Sequence, residues 1–394
     1  MKRRFISSFL FLLLGLSVLT KPISAQDTVT CPITISLLTC SPGEELYSSF
    51  GHSALRVVNS ENGKDIVFNY GTFDFDDPDF YSKFVKGKLL YFVSVDSYPG
   101  FMEEYRYFKR GVIEQVLNLT CDEKQQLLYA LYENAREENK YYRYDFTYDN
   151  CTTRLRDMLE KTAKDSIQPG NMLPYEGVTF RNLIHEYLEK GNQHWSELGI
   201  DILLGAPLDK KITNREAMFL PDYLMKSFDS ATIGNRPLVS FKRTLLPYLP
   251  PSPAGSTLKP VVIFSLLFLI VLLASFSPSK KIKKTIKFFD AFLIGFSGLL
   301  GILLLFMWWG TDHIMCRNNW NLVWAFPLNA IMVFFILSPY AIVRNYFKTL
   351  FFLYGILLLT WVILPQHLNI ALLPVVAILC LRAYFISQKG YHGK

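Results

Sequence analysis

The segment Leu246-Pro247-Tyr248-Leu249-Pro250-Pro251-Ser252-Pro253-Ala254-Gly255 divides the chain into two parts of opposite character. Its prolines lack a backbone N–H and fix φ at about −65°, so it reads as an extended linker, residues 246–259. On its C-terminal side lie five apolar stretches: Val261 to Phe276, Phe288 to Trp309, Leu322 to Leu337, Leu350 to Leu364 and Ile370 to Ile386. With interfacial Trp and Tyr at their ends they approach the roughly 20 residues that cross a bilayer. They predict an all-α transmembrane domain of five helices over residues 260–388. On the N-terminal side, residues 26–245 alternate strand and helix patterns and predict an α+β domain. Residues 1–25 combine Lys2, Arg3 and Arg4, an apolar run from Phe5 to Leu19 and the small-residue end Ile23-Ser24-Ala25, which is the pattern of a secretory signal peptide. A short anchor helix is the alternative, because Ile23 occupies a position that usually holds a smaller residue.

Charge supplies the orientation. The net +7 is made of +4 in residues 1–25, −7 in residues 26–255 and +10 in residues 256–394. The part that looks folded and soluble is therefore acidic, which argues against nucleic acid as a partner. Lys280, Lys281, Lys283, Lys284, Lys287, Arg344, Lys348, Arg382, Lys389 and Lys394 fall on one side of the five stretches, and only Lys259 and Arg317 on the other. By the positive-inside rule, the first side is cytoplasmic and the N-terminal domain is exported. A multi-pass membrane protein with an exported domain, and with the lipid bilayer as a partner, is expected.

Within that domain, Ile33 to Thr39, Ser53 to Val58 and Ile66 to Tyr70 read as strands, the last two joined across Asn62-Gly63. Ser41 to Glu45 reads as a short capped helix, and Glu123 to Asn139 and Thr152 to Ala163 as longer ones. Two segments carry chemistry. In Phe50-Gly51-His52-Ser53 the histidine opens a strand. In Tyr148-Asp149-Asn150-Cys151-Thr152-Thr153-Arg154 the cysteine opens a helix, where the dipole favours a thiolate and a nearby imidazole would favour it further. Such a thiolate is a nucleophile, and the histidine can return a proton to a leaving group. Taken singly, a cysteine is more often a buried hydrophobe or a disulfide partner and a histidine more often structural. The polar setting of Cys151 favours the reactive reading. A disulfide between two of Cys31, Cys40 and Cys121 is left open.

A histidine strand followed by Asn-Cys at a helix start resembles the circularly permuted papain-like fold of lecithin:retinol acyltransferase and its relatives. More specifically, the set of Leu38-Thr39-Cys40-Ser41-Pro42-Gly43, Phe50-Gly51-His52-Ser53, Asn69-Tyr70-Gly71-Thr72-Phe73-Asp74-Phe75, Asp149-Asn150-Cys151-Thr152-Thr153, Gly199-Ile200-Asp201 and Phe219-Leu220-Pro221 resembles the Bacteroides-type lipoprotein N-acyltransferases. Thr311-Asp312-His313, Asn319-Trp320-Asn321-Leu322-Val323-Trp324 and Pro327-Leu328 are similar to the membrane half of that family. The resemblance implies a papain-like periplasmic domain on a five-helix membrane domain. It also implies transfer of an acyl chain from a phospholipid donor, through a Cys151 thioester, to the α-amino group of diacylglyceryl-modified lipoproteins. His52 would be the base and acid.

The acyltransferase relatives carry a second histidine on the strand that here holds Asn69 and Tyr70. If Asn62-Gly63 is a two-residue turn, His52 lies opposite Phe73 and shares its face with Asn69 and Gly71, making Asn69 the orienting residue. A loop of odd length would bring Tyr70 there instead. His185 and His194 read as structural, Asp74, Asp76, Asp77 and Asp79 as a solvated turn, and Asp290 and Arg382 as snorkelling side chains. Asp312, His313, Asn318, Asn319 and Asn321 form either a plain interfacial loop or the substrate entrance. With no GxGxxG, phosphate loop or metal-ligand spacing, neither cofactor nor metal is expected. The competing functions are a membrane-tethered papain-like cysteine hydrolase acting on murein, peptide or phospholipid, and a non-enzymatic module in which Cys151 and His52 are structural.

Overall fold

The computed structural model describes residues 31–163, 167–247, 258–388 and 391. The expected signal peptide and the centre of the linker lie outside the described residues. The N-terminal region is built on a seven-stranded sheet of order β10-β5-β1-β2-β3-β4-β6. Its strands are β1 (Ile33–Cys40), β2 (His52–Asn59), β3 (Lys64–Thr72), β4 (Leu90–Ser97), β5 (Val112–Leu117), β6 (Tyr141–Arg143) and β10 (Val239–Leu246), all paired antiparallel. β7 (Ile167–Gln168), β8 (Thr232–Ile233) and β9 (Arg236–Pro237) form a separate small sheet. β1 lies inside the large sheet between β5 and β2, and its run Ile-Ser-Leu-Leu is apolar on both faces: Ile35, Leu37 and Leu38 are fully buried.

The β2–β3 hairpin differs from expectation in register. Asn59 pairs with Lys64 and Leu55 with Phe68, so the loop is the four residues 60–63 rather than Asn62-Gly63 alone. Two local hydrogen bonds explain it: Asn59 Oδ1 accepts from the Glu61 N–H at 3.0 Å and Asn62 Oδ1 from the Lys64 N–H at 3.1 Å, with Gly63 at φ +70°. The expected partner of His52, Phe73, is thereby displaced by two positions. A shift of two leaves every side chain on its own face, so Asn69 still shares the His52 face and comes two residues nearer. Ser41 to Glu45 is not helical. Ser41 is instead stitched to the start of β5, its Oγ accepting from the Gly111 N–H at 2.8 Å, and the nearby turn of helix is Leu46–Ser48.

Helices cover both sheet faces. After α1 (Phe80–Val85), α2 (Tyr98–Tyr107) sets Phe101, Met102 and Tyr105 on Leu38, Cys40, Ala54 and Val67. The other face carries α3 (Cys121–Asn134) and α4 (Cys151–Thr162), which meet β3 where Tyr70 Oη donates to Asn134 Oδ1 at 2.9 Å. Tyr70 therefore points away from His52. Both helices begin at capping boxes, Thr120 with Glu123 and Asn150 with Thr153. α5 (Phe180–Lys190), α6 (His194–Leu203), α7 (Asn214–Ala217) and α8 (Pro221–Ser230) follow, α8 receiving a bond from Gln115 Nε2 at its Met225 carbonyl.

The C-terminal region is helical: α9 (Pro260–Ser275), α10 (Lys280–Trp309), α11 (Asn329–Met332), α12 (Ala341–Leu359) and α13 (Leu372–Ser387). Of these, α10 and α12 are long and apolar enough to cross a membrane, and α9 and α13 are shorter apolar helices. The third apolar stretch, expected as one helix over Leu322 to Leu337, is divided into a 3-10 turn at Trp320–Val323 and a short helical run from Asn329 to Phe335. Pro327 divides it by lacking an N–H and by disfavouring helical geometry at Phe326. Buried Asn329 then bonds Ser297 Oγ at 2.9 Å and the Tyr354 and Tyr346 hydroxyls at 3.2 and 2.6 Å.

The two regions meet at the end of α6. Its last carbonyls have no intrahelical donors, and amide side chains of the C-terminal region supply them. Asn321 Nδ2 reaches Asp201 O at 2.8 Å, Asn319 Nδ2 reaches Ile202 O at 2.8 Å and Leu203 O at 3.1 Å, and Gln366 Nε2 reaches Leu204 O at 3.0 Å. Asn369 Nδ2 bonds the Asp201 carboxylate at 2.8 Å, which also binds Arg181 and His185.

Asp290 and Arg382 do not snorkel. Both are buried, joined by paired bonds of 2.6 and 2.8 Å, and Ser275 and Tyr391 complete their hydrogen bonding, so α9, α10 and α13 are tied at one point. Asp290→Leu or Arg382→Leu alone leaves an uncompensated buried charge and is expected to cost about 3–5 kcal/mol. Thermal unfolding of the detergent-solubilised protein should show the double replacement less destabilised than either single one; additive losses would contradict this account.

Candidate active site

The local backbone at the start of β2 is set by Gly51. It has φ +79°, and a Cβ there would stand 2.7 Å from Cys40 O, so a side chain would push β2 off β1. His52 follows, opposite Cys40 across the ladder. Its Nε2 lies 2.6 Å from Asn69 Oδ1. The Asn69 amide is oriented from behind, Nδ2 donating to Asp96 Oδ2 at 3.3 Å, and Asp96 also accepts the Ser94 hydroxyl at 2.8 Å. With a carbonyl oxygen facing it, Nε2 is the protonated nitrogen of His52, and Nδ1 is left for the thiol.

Cys151 is the first residue of α4. The preceding Asn150 is buried and satisfied on both sides of its amide. Oδ1 accepts from the Thr152 and Thr153 N–H groups at 2.8 and 2.9 Å, while Nδ2 donates to Phe146 O at 2.7 Å and Phe219 O at 2.8 Å. One side chain thus caps the helix and ties it to the segment before α8. Across from Cys151, β3 bulges between Tyr70 and Thr72; Gly71 there has φ +94°, and a Cβ on it would lie 3.6 Å from Cys151 Cβ. Any longer side chain at 71 would fill the space beside the sulfur.

The electrostatics follow from this packing. Burial pushes the Cys151 thiol up. The charge and hydrogen bond of His52, the Ser53 N–H and the Thr152 hydroxyl outweigh it and bring the thiol down to about 7. Burial lowers His52, but the Cys151 charge and its bonds to Cys151 and Asn69 leave it above the ordinary histidine value. Both shifts favour the thiolate–imidazolium pair over the neutral one. Cys40 contrasts with Cys151: desolvation dominates there and the thiol is raised to about 12. Cys31 and Cys121 each take part in a disulfide, whereas Cys40, Cys151, Cys316 and Cys380 are free thiols.

Cys151, His52, Asn69 and Gly71 lie in a cavity of about 600 Å³. Part of its wall, Asp312 to Met315, comes from the segment after α10. That segment is held by Asp312 N–H to Lys86 O at 2.9 Å, His313 Nε2 against Phe84 O at 3.1 Å and Arg143 to Asp312 at 3.2 Å. The two regions therefore share one cavity, with Asp312 and His313 of this loop in its wall. Asn318, Asn319 and Asn321 lie outside the lining, the last two holding α6. His185 is bonded to Asp201 and His194 faces Glu197, in keeping with structural roles. Among Asp74 to Asp79, carboxylates accept backbone N–H groups of their own turn. Sequence reasoning missed Asp96 and Ser53; only the alternation along β4 placed Asp96 on the same face as Ser94.

The arrangement can form a thiolate, hold a proton on an adjacent imidazole and present the Cys151 N–H at the helix start to a developing oxyanion. Alkylation of Cys151 should accelerate as pH rises through about 7. In His52→Ala, losing the opposite charge while keeping burial, the midpoint should move to the free-thiol value of about 8.5 or higher. Mapping alkylated peptides by mass across pH checks this, and an unchanged midpoint in the variant would separate His52 from the thiol.

Residues 27–186 match the model of the Lnb N-terminal periplasmic domain and residues 252–393 that of the Lnb transmembrane domain. No curated protein and no solved structure matches the chain. Both matches fall in the order that the sequence motifs suggested, a sheet-bearing domain ahead of a helical one, and the chain accordingly belongs to the Bacteroides-type Lnb family as a membrane protein with a periplasmic domain.

Proposed function

We propose that the chain is a lipoprotein N-acyltransferase of the inner membrane, working at its periplasmic face. The observation that carries this reading is the position of Cys151, His52 and Asn69 in a cavity whose wall includes the segment after α10. Both substrates of such a reaction are anchored in lipid, and a site partly walled by the membrane region suits them. A murein hydrolase has no comparable need of that wall. The strand-borne histidine preceding the helix-borne cysteine supports the permuted papain-like fold. The basic residues of α10's first turns support the cytoplasmic assignment of that end, and we retain five membrane crossings, the third interrupted at Pro327.

In the first half-reaction the Cys151 thiolate attacks the carbonyl carbon of a phospholipid ester. The C–O bond breaks, and the His52 imidazolium gives its proton to the departing glycerol oxygen, leaving an S-acyl enzyme and a lysophospholipid. In the second, the uncharged α-amine of the lipoprotein's diacylglyceryl-cysteine attacks the thioester. His52 takes the amine proton as the C–S bond breaks, so an amide forms and the thiolate returns. The Cys151 N–H at the start of α4 is placed to donate to the oxyanion in both steps. Asn69, itself set by Asp96, keeps Nδ1 directed at the sulfur. Proton transfer by a positioned side chain is worth about 10²–10⁴-fold.

Cells whose only copy carries Cys151→Ala should yield lipoprotein N-terminal peptides lighter by one amide-linked acyl group, read by mass spectrometry. His52→Ala should lower transfer by about 10²–10⁴-fold without loss of folded, inserted protein. Unaltered lipid masses together with changed murein fragments would instead identify a hydrolase.

A further inference from the structure

One helix of the sheet domain turns an apolar face outward. In α1 (Phe80–Val85), Tyr81, Phe84 and Val85 fall at i, i+3 and i+4, on one side of the helix, and all three are exposed. They belong to a continuous aromatic group. The ring of buried Phe80 lies 5.3 Å from Tyr81, 6.2 Å from Phe84 and 5.0 Å from exposed Phe75. Single apolar residues on a surface need no explanation, whereas a contiguous group marks a surface that something covers. The place of α1 says what covers it. Lys86 O accepts the Asp312 N–H at 2.9 Å, and Phe84 O faces His313 Nε2 at 3.1 Å. Both partners come three or four residues after Trp309, the exposed last residue of α10. α10 is long and apolar enough to cross a membrane and its end meets the periplasmic domain, so Trp309 stands at the periplasmic face, at the headgroup level that tryptophan favours. The chain from 310 to 313 is bent, so the separation falls short of the roughly 14 Å of four extended residues. A headgroup layer about 5–8 Å thick and a helix radius of about 5–6 Å together span it. A second contact fixes the same level: Trp195 Nε1 donates to Leu258 O at 3.2 Å, just ahead of α9, and its ring stands 5.8 Å from Phe264. Charge is ordered to match. Exposed Lys86 and Lys88 follow the end of α1 that meets the α10 loop, and Asp74, Asp76 and Asp79 precede its start.

We propose that α1 is an interfacial helix, its Tyr81, Phe84 and Val85 face lying in the headgroup–acyl boundary of the periplasmic leaflet beside α10. Phe84 also lines the cavity of Cys151, so the leaflet reaches the cavity wall with no layer of water between. Lipid suits this face better than protein does, because three side chains cannot supply the roughly 800 Å² that each partner of a stable protein interface gives. The inference rests on membrane location alone and stands whether or not Cys151 transfers an acyl chain.

The test is hydroxyl-radical footprinting of the full chain in dioleoyl phosphatidylcholine nanodiscs, read residue by residue by mass spectrometry. Tyr81 is 79% exposed in the chain alone and Tyr129 of α3 is 68% exposed, so with water on both Tyr81 would oxidise at least as fast. In the nanodisc Tyr81 is expected to oxidise several-fold more slowly than Tyr129. Tyr81→Glu combined with Val85→Glu puts charge on the face and should lift it from the leaflet. Phe84 oxidation should then rise several-fold, while a Cys151 alkylation midpoint still near 7 shows the fold intact. Wild-type Tyr81 oxidised as fast as Tyr129 overturns the proposal without reference to any variant. Protection confined to discs that hold two copies overturns it too, because a second chain would then be the cover. So does Phe84 oxidation that the double replacement leaves unchanged.

Discussion

The capture of the α6 carbonyls by amide side chains is the constraint on which the rest of the arrangement depends. A helix C-terminus buried without donors would be heavily destabilised. Here Asn319, Asn321 and Gln366 provide them from segments flanking the membrane helices. Because the bonds run to main chain, they fix position and direction together. The sheet domain is thereby oriented on the helical region, and the loop carrying Asp312 and His313 can close against Phe84 and Lys86. The cavity is a product of that registration.

Inside the cavity, burial and charge oppose one another with a different outcome at each sulfur. Cys151 and Cys40 are both buried. Only Cys151 has the imidazole, the Ser53 N–H and the helix start around its sulfur, and those interactions outweigh desolvation. Cys40 is strand-paired with His52, yet His52 is not among the groups that shift its thiol; the Tyr105 bond and the Arg110 charge are too little against burial. Residue type therefore says little about reactivity at these two positions, and the direction of the neighbouring dipoles says most.

Much of this was legible in the sequence, for reasons that can be stated. Asn-Cys before an amphipathic run marks a capped helix with its thiol at the positive end, and His52 after a glycine marks a strand start. Asn69 was reachable because strand parity survives a two-residue error in register, and the error itself arose because Asn59 and Asn62 close a wider turn than Asn-Gly alone implies. The third apolar stretch was misread as one helix because hydropathy does not register what Pro327 does to its neighbours. Asp290 and Arg382 were misread because two charges 92 residues apart give no local sign of pairing.

The contrast among the cysteines has a consequence for life outside the cytoplasm. The periplasm oxidises accessible thiols, and a low-pKa thiol is the form most readily taken to sulfenic acid or a mixed disulfide. The chain meets that hazard by dividing its sulfurs. Cys31 and Cys121 are already oxidised, Cys40 is held as an unreactive thiol, and Cys151, at 8% exposure, can be approached mainly through the cavity. An occupied cavity then shields the thiolate from small oxidants and thiol reagents, so under the proposed acyl transfer a bound lipid would double as the antioxidant protection of the residue that reacts with it.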